Sequence, residues 1–312
     1  HRIAAELVDE EAVDHCRVGT RAVIDPADAA MIHGFLVNKF RGDPVLFDDG
    51  YRAIEARSGW RGYGVVPWLG DAVRLPSEDA VILERPVASA KRRVTIACPI
   101  TPRIANFDDL DPLRLESGVA LVMVPPGTPI PDLAFLRTQG WDIDILAHHR
   151  RGKPVLGLCG GYQMLGRSIA DPHGIEGAAT TVAGLGLLDV DTVLTATKTL
   201  ERIEGIANGA RFEGYEMHMG ATTGGDLNRP VGHRSDGSAE GATSADGLVH
   251  GSYVHGLFGL ADQRAAWLAR LGVDAVGPDH AASIDAALDA IAATLERHVD
   301  LDAMLDLAQR VG

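Results

Sequence analysis

The chain of 312 residues has little positive charge and no long apolar run. Lysine and arginine together number 29, against 43 aspartates and glutamates, so the formal net charge is -14. A chain this acidic lacks the electrostatic attraction to phosphate backbones on which general nucleic-acid binding depends. No uninterrupted apolar stretch approaches the roughly 20 residues that a membrane-spanning helix needs. We therefore expect neither nucleic acid nor a membrane as a partner.

Cysteine is also scarce, with only Cys16, Cys98 and Cys159, widely spaced. The absence of a Cys-x-x-Cys pair argues against a zinc knuckle, and an odd, small number does not indicate a disulfide framework. We predict no metal site and a reducing, cytoplasmic location. Cys98 lies in an apolar run that resembles a buried strand, where cysteine usually behaves as a small hydrophobe.

Short apolar runs alternate with segments of helical periodicity, which is typical of a parallel sheet covered by helices. Strands are predicted at residues 30–39, 62–68, 94–100, 118–124 and 154–158, and helices at 43–58, 131–139, 141–150, 262–271 and 281–310. Residues 205–250 are rich in glycine and small polar residues, and we expect turns and short strands there. The class is therefore α/β.

The stretch from Leu75 to Arg93 has two prolines, mixed charge and no clear period, which favours a linker. The length of the chain is typical of two domains. We predict one domain at residues 1–85 and a second at residues 92–312, with the C-terminal helices in the second.

The residues from Gly157 to Gly161 form a Gly-x-Cys-x-Gly pattern between a predicted strand and a helical segment. This pattern is typical of a nucleophile elbow, a strained turn that holds the nucleophile at its centre. Small neighbours should be needed, because a Cβ would collide with the adjoining backbone. The sulfur of Cys159 would project from the C-terminal edge of the sheet, and the N–H of Gly160 would face a developing oxyanion. We predict Cys159 as a nucleophile, with a structural turn as the alternative.

A thiolate nucleophile needs a base, and the sequence offers twelve histidines. His255 follows a small and apolar run and precedes Gly256, as expected at a strand end before a glycine turn. We predict it as the base; a core histidine bonded to backbone is the alternative. Two residues after this histidine, where a triad with an orienting acid would have that acid, this chain has Leu257. The orienting acid is therefore absent or comes from elsewhere.

Several segments are similar, in order, to the cobyric acid synthase family, a cobalamin-type branch of the class I glutamine amidotransferases. They are GKPVLGLCGGYQMLG (152–166), IEGAATTVAGLGLLDVDT (175–192), GYEMHMGATTG (214–224) and GSYVHGLF (251–258). Three earlier segments resemble the preceding domain of that family: VNKFRGD (37–43), GYGVVPWL (62–69) and RLPSEDAV (74–81). This collinear order is more specific than any single motif.

The resemblance implies a flavodoxin-like class I glutamine amidotransferase domain, preceded by a truncated piece of a P-loop, dethiobiotin-synthetase-like α/β domain. It implies that Cys159 attacks the side-chain amide of glutamine and that His255 serves as general base and acid in a Cys–His dyad. Gly127 would offer an oxyanion donor beside Gly160, although Pro126 and Pro129 depart from the family's loop.

The segment that contains Tyr215, Glu216 and His218 matches a family segment expected near the glutamine site. Glu216 and His218 are therefore candidates for glutamine-site support, with an ordinary buried hydrogen bond as the alternative. Asn38 and Lys39 would lie at the edge of a nucleotide site, with a strand-end polar pair as the alternative.

The family couples glutamine hydrolysis to ATP, which requires a P-loop, G-x-x-x-x-G-K-[ST]. None of the four lysines stands in such a loop. We expect no tightly bound cofactor, since ATP and magnesium belong to the family but their site is missing here. The chain would then be a fragment, a degraded reading frame or one part of a split enzyme with a separate ATP-binding chain.

The family implies glutamine and a corrinoid of the adenosylcobyrinic acid a,c-diamide type as substrates, and amidation of side-chain carboxylates in cobalamin biosynthesis as the function. A related amidotransferase that acts on cobyrinate or on a cell-wall lipid intermediate is one alternative. A non-catalytic remnant or binding subunit is the other.

Overall fold

The computed structural model describes residues 21, 23–76, 93–99, 107–124 and 132–311. These residues form two compact units, which are treated separately below. The first contains the described residues up to Leu75 and those from Ile284 onward, and the second contains those between Pro76 and Ser283. Within the described ranges, no helix combines the length and the apolar character needed to cross a bilayer.

The first unit is built on two parallel strands joined by a helix. Its elements are α1 (Pro26–Ala30), β1 (Gly34–Phe40), α2 (Asp48–Ser58), β2 (Arg61–Pro67), most of α8 (His280–His298) and α9 (Leu301–Val311). Short 3-10 turns cover Pro44–Phe47 and Gly70–Arg74. Strands β1 and β2 pair in parallel, with α2 as the crossover that such a pair requires. The predicted strands and the helix near residues 43–58 are confirmed.

The C-terminal helices pack in the first unit, whereas the predicted boundary placed them with the second. Tyr63 and Val66 of β2 form a small core with Val299. The Asp300 N–H donates to the Tyr63 carbonyl at 2.8 Å, which fixes this contact. Helical spacing shows which face of a helix is apolar but not which sheet that face covers, so the sequence pattern did not settle the boundary.

The helix predicted over residues 281–310 is interrupted at Val299 and Asp300. The Asp300 carboxylate accepts the Ala303 N–H at 3.1 Å and so caps the start of α9. Two helices therefore replace one, because an aspartate side chain at this position satisfies a backbone donor that a continuous helix would use itself.

The second unit combines parallel strand pairs with a larger sheet. Its remaining helices are α3 (Asp111–Arg114), α4 (Asp132–Thr138), α5 (Trp141–Arg150), α6 (Gly160–Leu165) and α7 (Ala261–Ala269). Its strands are β3 (Val94–Pro99), β4 (Val119–Val124), β5 (Val155–Leu158), β6 (Ser168–Asp171), β7 (Thr180–Ala183), β8 (Asp191–Ala207), β9 (Ala210–Thr223), β10 (Gly232–Arg234), β11 (Ala239–Glu240), β12 (Ala242–Thr243), β13 (Val249–Ser252) and β14 (Val254–His255). The structure is thus mixed α/β, as predicted.

Parallel pairing places the ends of two strands side by side. Strand β3 pairs with β4, and β5 pairs with β13 in the register Ser252↔Leu158. Cys159 follows β5 directly, and His255 follows β13 by three residues. Because carboxyl ends of parallel strands meet at one edge, this register brings the two predicted residues together.

Residues 191–223 form one long antiparallel hairpin, so the expectation of only turns and short strands from residue 205 onward is wrong for its first part. Strand β8 has 17 residues and β9 has 14, and they form the centre of a seven-stranded sheet. The turn is Asn208–Gly209, with φ of 51° and 79°. An Asn-Gly pair between strands is a strong hairpin signal, since both residues tolerate positive φ. That signal was present in the sequence.

A buried ion pair ties three segments of the second unit together. Arg264 Nε donates to Glu116 Oε1 at 2.6 Å, and both side chains are fully buried. Arg264 also donates to the carbonyls of Phe258 at 3.0 Å and Pro278 at 2.6 Å. The Glu116 carboxylate accepts the Val276 N–H at 2.7 Å. The turn after β14 is thereby fixed against the segment between α3 and β4.

Removal of one partner of this pair should destabilise the protein strongly. We expect Arg264→Ala to lower the free energy of unfolding by about 3–5 kcal/mol, because it leaves the Glu116 carboxylate buried without its cation. Urea unfolding followed by circular dichroism measures the change. Arg93→Ala is the control, since Arg93 is 72% exposed and lies 3.8 Å from Asp274, so its loss should have little effect. Equal stabilities for the two variants would contradict the structural role of Arg264.

Candidate active site

Cys159 lies on a strained turn between β5 and α6. Its φ of 50° and ψ of -115° fall in a region that non-glycine residues rarely adopt. The Cys159 N–H donates to the Ser252 carbonyl at 2.9 Å, so the residue stays tied to β13 while the chain turns. Its Sγ lies 3.3 Å from the Met217 carbonyl oxygen of β9, to which the protonated thiol can donate. The predicted strand-turn-helix geometry is confirmed.

The three glycines around Cys159 differ in whether the surrounding structure leaves room for a side chain. A Cβ on Gly157 would lie 2.6 Å from the Gly161 carbonyl carbon, so there is no room for a side chain. A Cβ on Gly160 or Gly161 would meet nothing within 4 Å. The expectation that small neighbours are needed is confirmed for Gly157 and wrong for the other two, because α6 leads the chain away from the sheet there. Gly160 is the first residue of this helix.

His255 ends β14, where it pairs with Tyr215 of β9. Gly256 follows with φ of 81°, so the predicted strand end before a glycine turn is confirmed. The His255 side chain is only 3% exposed, and its ring stacks on that of Tyr215 with 5.1 Å between centroids. A hydrogen bond with the Cys159 side chain joins it to the predicted nucleophile.

Asp109 supplies the acid that the sequence left open. Its Oδ2 lies 2.7 Å from His255 Nδ1, and its Oδ1 accepts the Gly256 N–H at 2.7 Å. Asp109 is buried, in a 3-10 turn at Phe107–Leu110 between β3 and β4. Leu257, at the usual position of the acid, is a buried core residue. In the sequence, the only local feature of this region is the pair Asp108–Asp109, which follows the strand predicted at 94–100 and which no pattern linked to His255.

The surroundings of His255 favour its charged form. Burial opposes a charge on the imidazole, but the hydrogen bonds and charges of Asp109 and Cys159 outweigh it and raise the pKa of His255 from 6.5 to about 10. The ring is therefore an imidazolium at neutral pH. A cation beside Cys159 stabilises a thiolate, which is the nucleophilic form of cysteine.

Glu216 and His218 belong to a buried polar cluster on β9. Glu216 Oε1 lies 2.7 Å from His218 Nε2, and Arg234 Nη2 donates to Glu216 Oε2 at 2.5 Å. The hydrogen bond to His218, with that to Arg234, lowers the pKa of Glu216 against the effect of burial. The His218 ring stacks on Tyr253, with 3.8 Å between centroids. Since side chains alternate along a strand, this cluster lies on the face opposite to Tyr215, and its role toward glutamine stays a prediction.

The other predicted site residues belong to the first unit or lie outside the described ranges. Gly127 lies outside the described residues, as does Cys16. Asn38 and Lys39 are exposed near the end of β1 in the first unit, where Asn38 Oδ1 accepts the Lys39 N–H at 2.8 Å. Burial raises the pKa of the Cys98 thiol to about 11, so this cysteine is not activated.

A cysteine on a strained turn, an imidazolium and a buried carboxylate define a site for nucleophilic attack by sulfur. Residues 95–263, which include all three, match the family described as the CobB/CobQ-like glutamine amidotransferase domain. The chain therefore belongs to the CobB/CobQ-like glutamine amidotransferase family.

Curated relatives named cobyric acid synthase match almost the whole chain. The relative from Rhizorhabdus wittichii is 63% identical over 98% of this chain, that from Novosphingobium aromaticivorans 60% over 96%, and that from Rhodobacter capsulatus 57% over 94%. This chain covers 66%, 65% and 64% of these relatives, so it spans about two thirds of their length. The family resemblance expected from the sequence segments is confirmed.

A solved chain from the structure of PurLQS of Thermotoga maritima is also similar. It aligns with 65% of this chain at 15% identity and a TM-score of 0.38. No conclusion about this chain follows from a likeness of that degree.

The charge of Asp109 should control both His255 and Cys159. We expect Asp109→Asn to lower the pKa of His255 toward 6.5 and to slow alkylation of Cys159 by iodoacetamide at pH 7, because the imidazolium loses its anionic partner. NMR titration of labelled imidazoles and mass spectrometry of the alkylated peptide measure the two effects. Asp108→Asn is the matched control, since Asp108 is exposed. If both variants behave alike, Asp109 is not the orienting acid.

The pair of His255 and Asp109 should also make the free energy of unfolding depend on pH. Because the folded-state pKa of His255, about 10, lies above its ordinary value of 6.5, the stabilisation is complete below about pH 6.5 and is lost as pH rises toward 10. Urea unfolding between these pH values should show a falling free energy of unfolding. Asp109→Asn should flatten that fall, and an unchanged slope in this variant would contradict the assignment.

Proposed function

We propose that this chain carries the glutaminase half of a glutamine-dependent amidotransferase of the cobyric acid synthase type, which amidates corrinoid side-chain carboxylates in cobalamin biosynthesis. The observation that carries the proposal is the contact of His255 with both Cys159 and Asp109 at the nucleophile turn. Membership of the CobB/CobQ-like family and relatives named cobyric acid synthase support it. The run GLGLLDVDT (184–192) favours an acceptor of the adenosylcobyrinic acid a,c-diamide type over cobyrinate or a cell-wall lipid intermediate.

In the first step, the Cys159 thiolate attacks the side-chain amide carbon of glutamine. The carbonyl electrons move to oxygen, and the N–H of Gly160, the first residue of α6, would donate to that oxyanion. His255, protonated at rest, gives its proton to the amide nitrogen. The C–N bond breaks, ammonia leaves, and a glutamyl thioester remains on Cys159.

In the second step, neutral His255 takes a proton from water, and the resulting hydroxide adds to the thioester carbon. The C–S bond breaks, glutamate leaves, and the resting thiolate–imidazolium pair returns. Asp109 keeps its hydrogen bond to Nδ1 throughout, so that Nε2 remains the nitrogen that exchanges protons.

Other residues complete the proposed site. Gly127 would add a second oxyanion donor, as in the family's glycine loop. Glu216 and His218 would support the glutamine pocket from β9, next to the strand that carries His255. Nothing in their described contacts with Arg234 and Tyr253 conflicts with this role.

The finer fold assignment is also a proposal. Residues of β3 and β5 pack on one core, which supports a single flavodoxin-like sheet that contains β3, β4, β5 and β13. The parallel pair of β1 and β2 with α2 between them supports part of a P-loop, dethiobiotin-synthetase-like domain.

The sequence contains no P-loop that could cradle nucleotide phosphates. No lysine of the sequence stands in a P-loop pattern. Near the end of β1, the Asn38 side chain accepts the Lys39 N–H, so this pair is engaged locally. We therefore derive no step through ATP or magnesium. We propose that ATP activates the acceptor carboxylate on residues outside this sequence, either in a longer form of this chain or in a separate ATP-binding chain, with Asn38 and Lys39 at most at the edge of that nucleotide site.

The proposed chemistry depends on one sulfur. We expect Cys159→Ala to abolish release of ammonia from glutamine, because no thioester can form. A coupled assay for ammonia and glutamate measures turnover, and a thiol-directed chloroketone analogue of glutamine labels the nucleophile. Cys98→Ala, the matched control, should keep wild-type turnover and labelling. Full turnover in Cys159→Ala would refute the mechanism, and a folded wild-type chain without turnover or labelling would favour a non-catalytic binding subunit.

The acceptor is tested separately. With an ATP-binding partner from a related synthase supplied, we expect amidation of an adenosylcobyrinic acid a,c-diamide-type corrinoid. Mass spectrometry would count the amides added per corrinoid. Amidation of cobyrinate or of a cell-wall lipid intermediate instead would overturn the acceptor assignment while leaving the glutaminase assignment intact.

A further inference from the structure

Glu240 is a buried carboxylate that the glutaminase steps do not use. It ends β11 and is only 2% exposed. Its Oε1 accepts two hydrogen bonds, from Ser252 Oγ at 3.1 Å and from the Tyr253 N–H at 3.0 Å. Its Oε2 is buried and has no hydrogen-bond partner among the described residues. A buried carboxylate is costly to desolvate, so this placement calls for a reason.

The segment that Glu240 holds, Ser252–Tyr253–Val254, connects the nucleophile to the base. The Ser252 carbonyl accepts the N–H of Cys159 at 2.9 Å. Ser252 Oγ, which donates to Glu240, accepts the Val254 N–H at 3.0 Å. Val254 directly precedes His255. The backbone of Cys159 and the approach to His255 therefore depend on the same three residues.

The same segment is linked to the helix after the nucleophile. Gln163 of α6 donates to the Tyr253 hydroxyl at 3.3 Å, and that hydroxyl lies 2.7 Å from Thr222 Oγ1. Tyr253 is therefore held at its ring end by α6 and β9 and at its N–H by Glu240. Rotation of the Tyr253 backbone would disturb the hydrogen bonds of its hydroxyl and of its N–H together.

We propose that Glu240 is a positioning residue for the glutaminase reaction proposed above: Oε1 fixes Ser252–Val254 so that Cys159 and His255 keep their relative placement. The inference rests on that proposed function. Glu240 contacts neither reacting atom, and its influence passes through two hydrogen bonds to the segment between them. A displacement of about 1 Å between reacting groups is enough to cost about 100-fold in rate.

The positioning role of Glu240 depends on Oε1 as a hydrogen-bond acceptor rather than on the negative charge of the carboxylate. Burial raises the pKa of Glu240 to about 7, against the bonds from Tyr253 and Ser252 and the charge of Arg234, and Glu216 adds to the rise. Both protonation states are therefore present near neutral pH. Both donors point to Oε1, which accepts in either state. A glutamine at this position offers the same acceptor without a carboxylate.

The test compares two replacements of Glu240. We expect Glu240→Gln to keep kcat for glutamine hydrolysis within about threefold of wild type, and Glu240→Leu to lower kcat by about 10- to 100-fold with KM changed less than about threefold. Alkylation of Cys159 at pH 7 should slow in Glu240→Leu alone. Near wild-type kcat in Glu240→Gln would show that the acceptor oxygen at position 240 is required and the carboxylate charge is not. Equal losses of kcat in both variants would overturn the proposal.

A matched control separates positioning from general stability. Asp171 is also buried, and its carboxylate accepts two backbone N–H groups, from Ile175 at 2.8 Å and Glu176 at 2.9 Å, away from the site. Asp171→Leu should lower the melting temperature as Glu240→Leu does while leaving kcat and Cys159 alkylation near wild type. If both variants lose kcat in proportion to their melting temperatures, Glu240 has only a structural role.

If Glu240→Leu does not fold, Ser252→Ala tests the same chain of contacts. It removes the hydroxyl between Glu240 and the Val254 N–H, and we expect a loss of kcat smaller than that expected for Glu240→Leu, with KM changed less than about threefold. Wild-type kcat in a folded Ser252→Ala variant would overturn the proposed chain of contacts. Wild-type turnover and labelling of Cys159 are measured first: their absence would refute the proposed function, whereas an active wild type with unaffected Glu240 and Ser252 variants would refute only this inference.

Discussion

The hydrogen-bonded ion pair between His255 and Asp109 is the contact on which the site depends. It holds the Nδ1 proton of His255, keeps the imidazole charged and places that charge beside the Cys159 sulfur. The same carboxylate accepts the Gly256 N–H and so fixes the turn that ends β14. One buried acid thus decides a protonation state, a ring orientation and a backbone turn. A neutral side chain at position 109 could fill the space without supplying the charge.

Buried carboxylates recur where distant segments must be held together. Glu116 binds Arg264 and, with it, the turn after β14 and the loop before α8. Glu240 binds the segment between Cys159 and His255. An acid in the interior is tolerated only where hydrogen bonds or cations replace its water, so each of these groups demands a defined arrangement of its partners. The rigidity of the site follows from that demand rather than from apolar packing alone.

Local patterns predicted a large part of the fold. The strands that precede Cys159, the turn around it and the helix after it could be identified because each imposes its own residue types over a few positions. The hairpin of β8 and β9 was missed although Asn208–Gly209 signals its turn, because the glycine-rich composition around it suggested irregular loops. The sequence pattern predicted the C-terminal helices but not the unit in which they pack, since periodicity identifies the apolar face of a helix and not the surface that this face covers.

The sequence by itself determined the family and predicted the nucleophile and the base, because a strained turn and a strand-end histidine constrain the types of the adjacent residues. Only the tertiary structure decided which acid orients His255 and which carboxylate supports the segment beside it. Asp109 and His255 are 146 residues apart, and Glu240 reaches Tyr253 from another strand. Contacts across such separations depend on how strands and turns are brought together, and a carboxylate in a chain rich in acids carries no local sign of the partner it will meet.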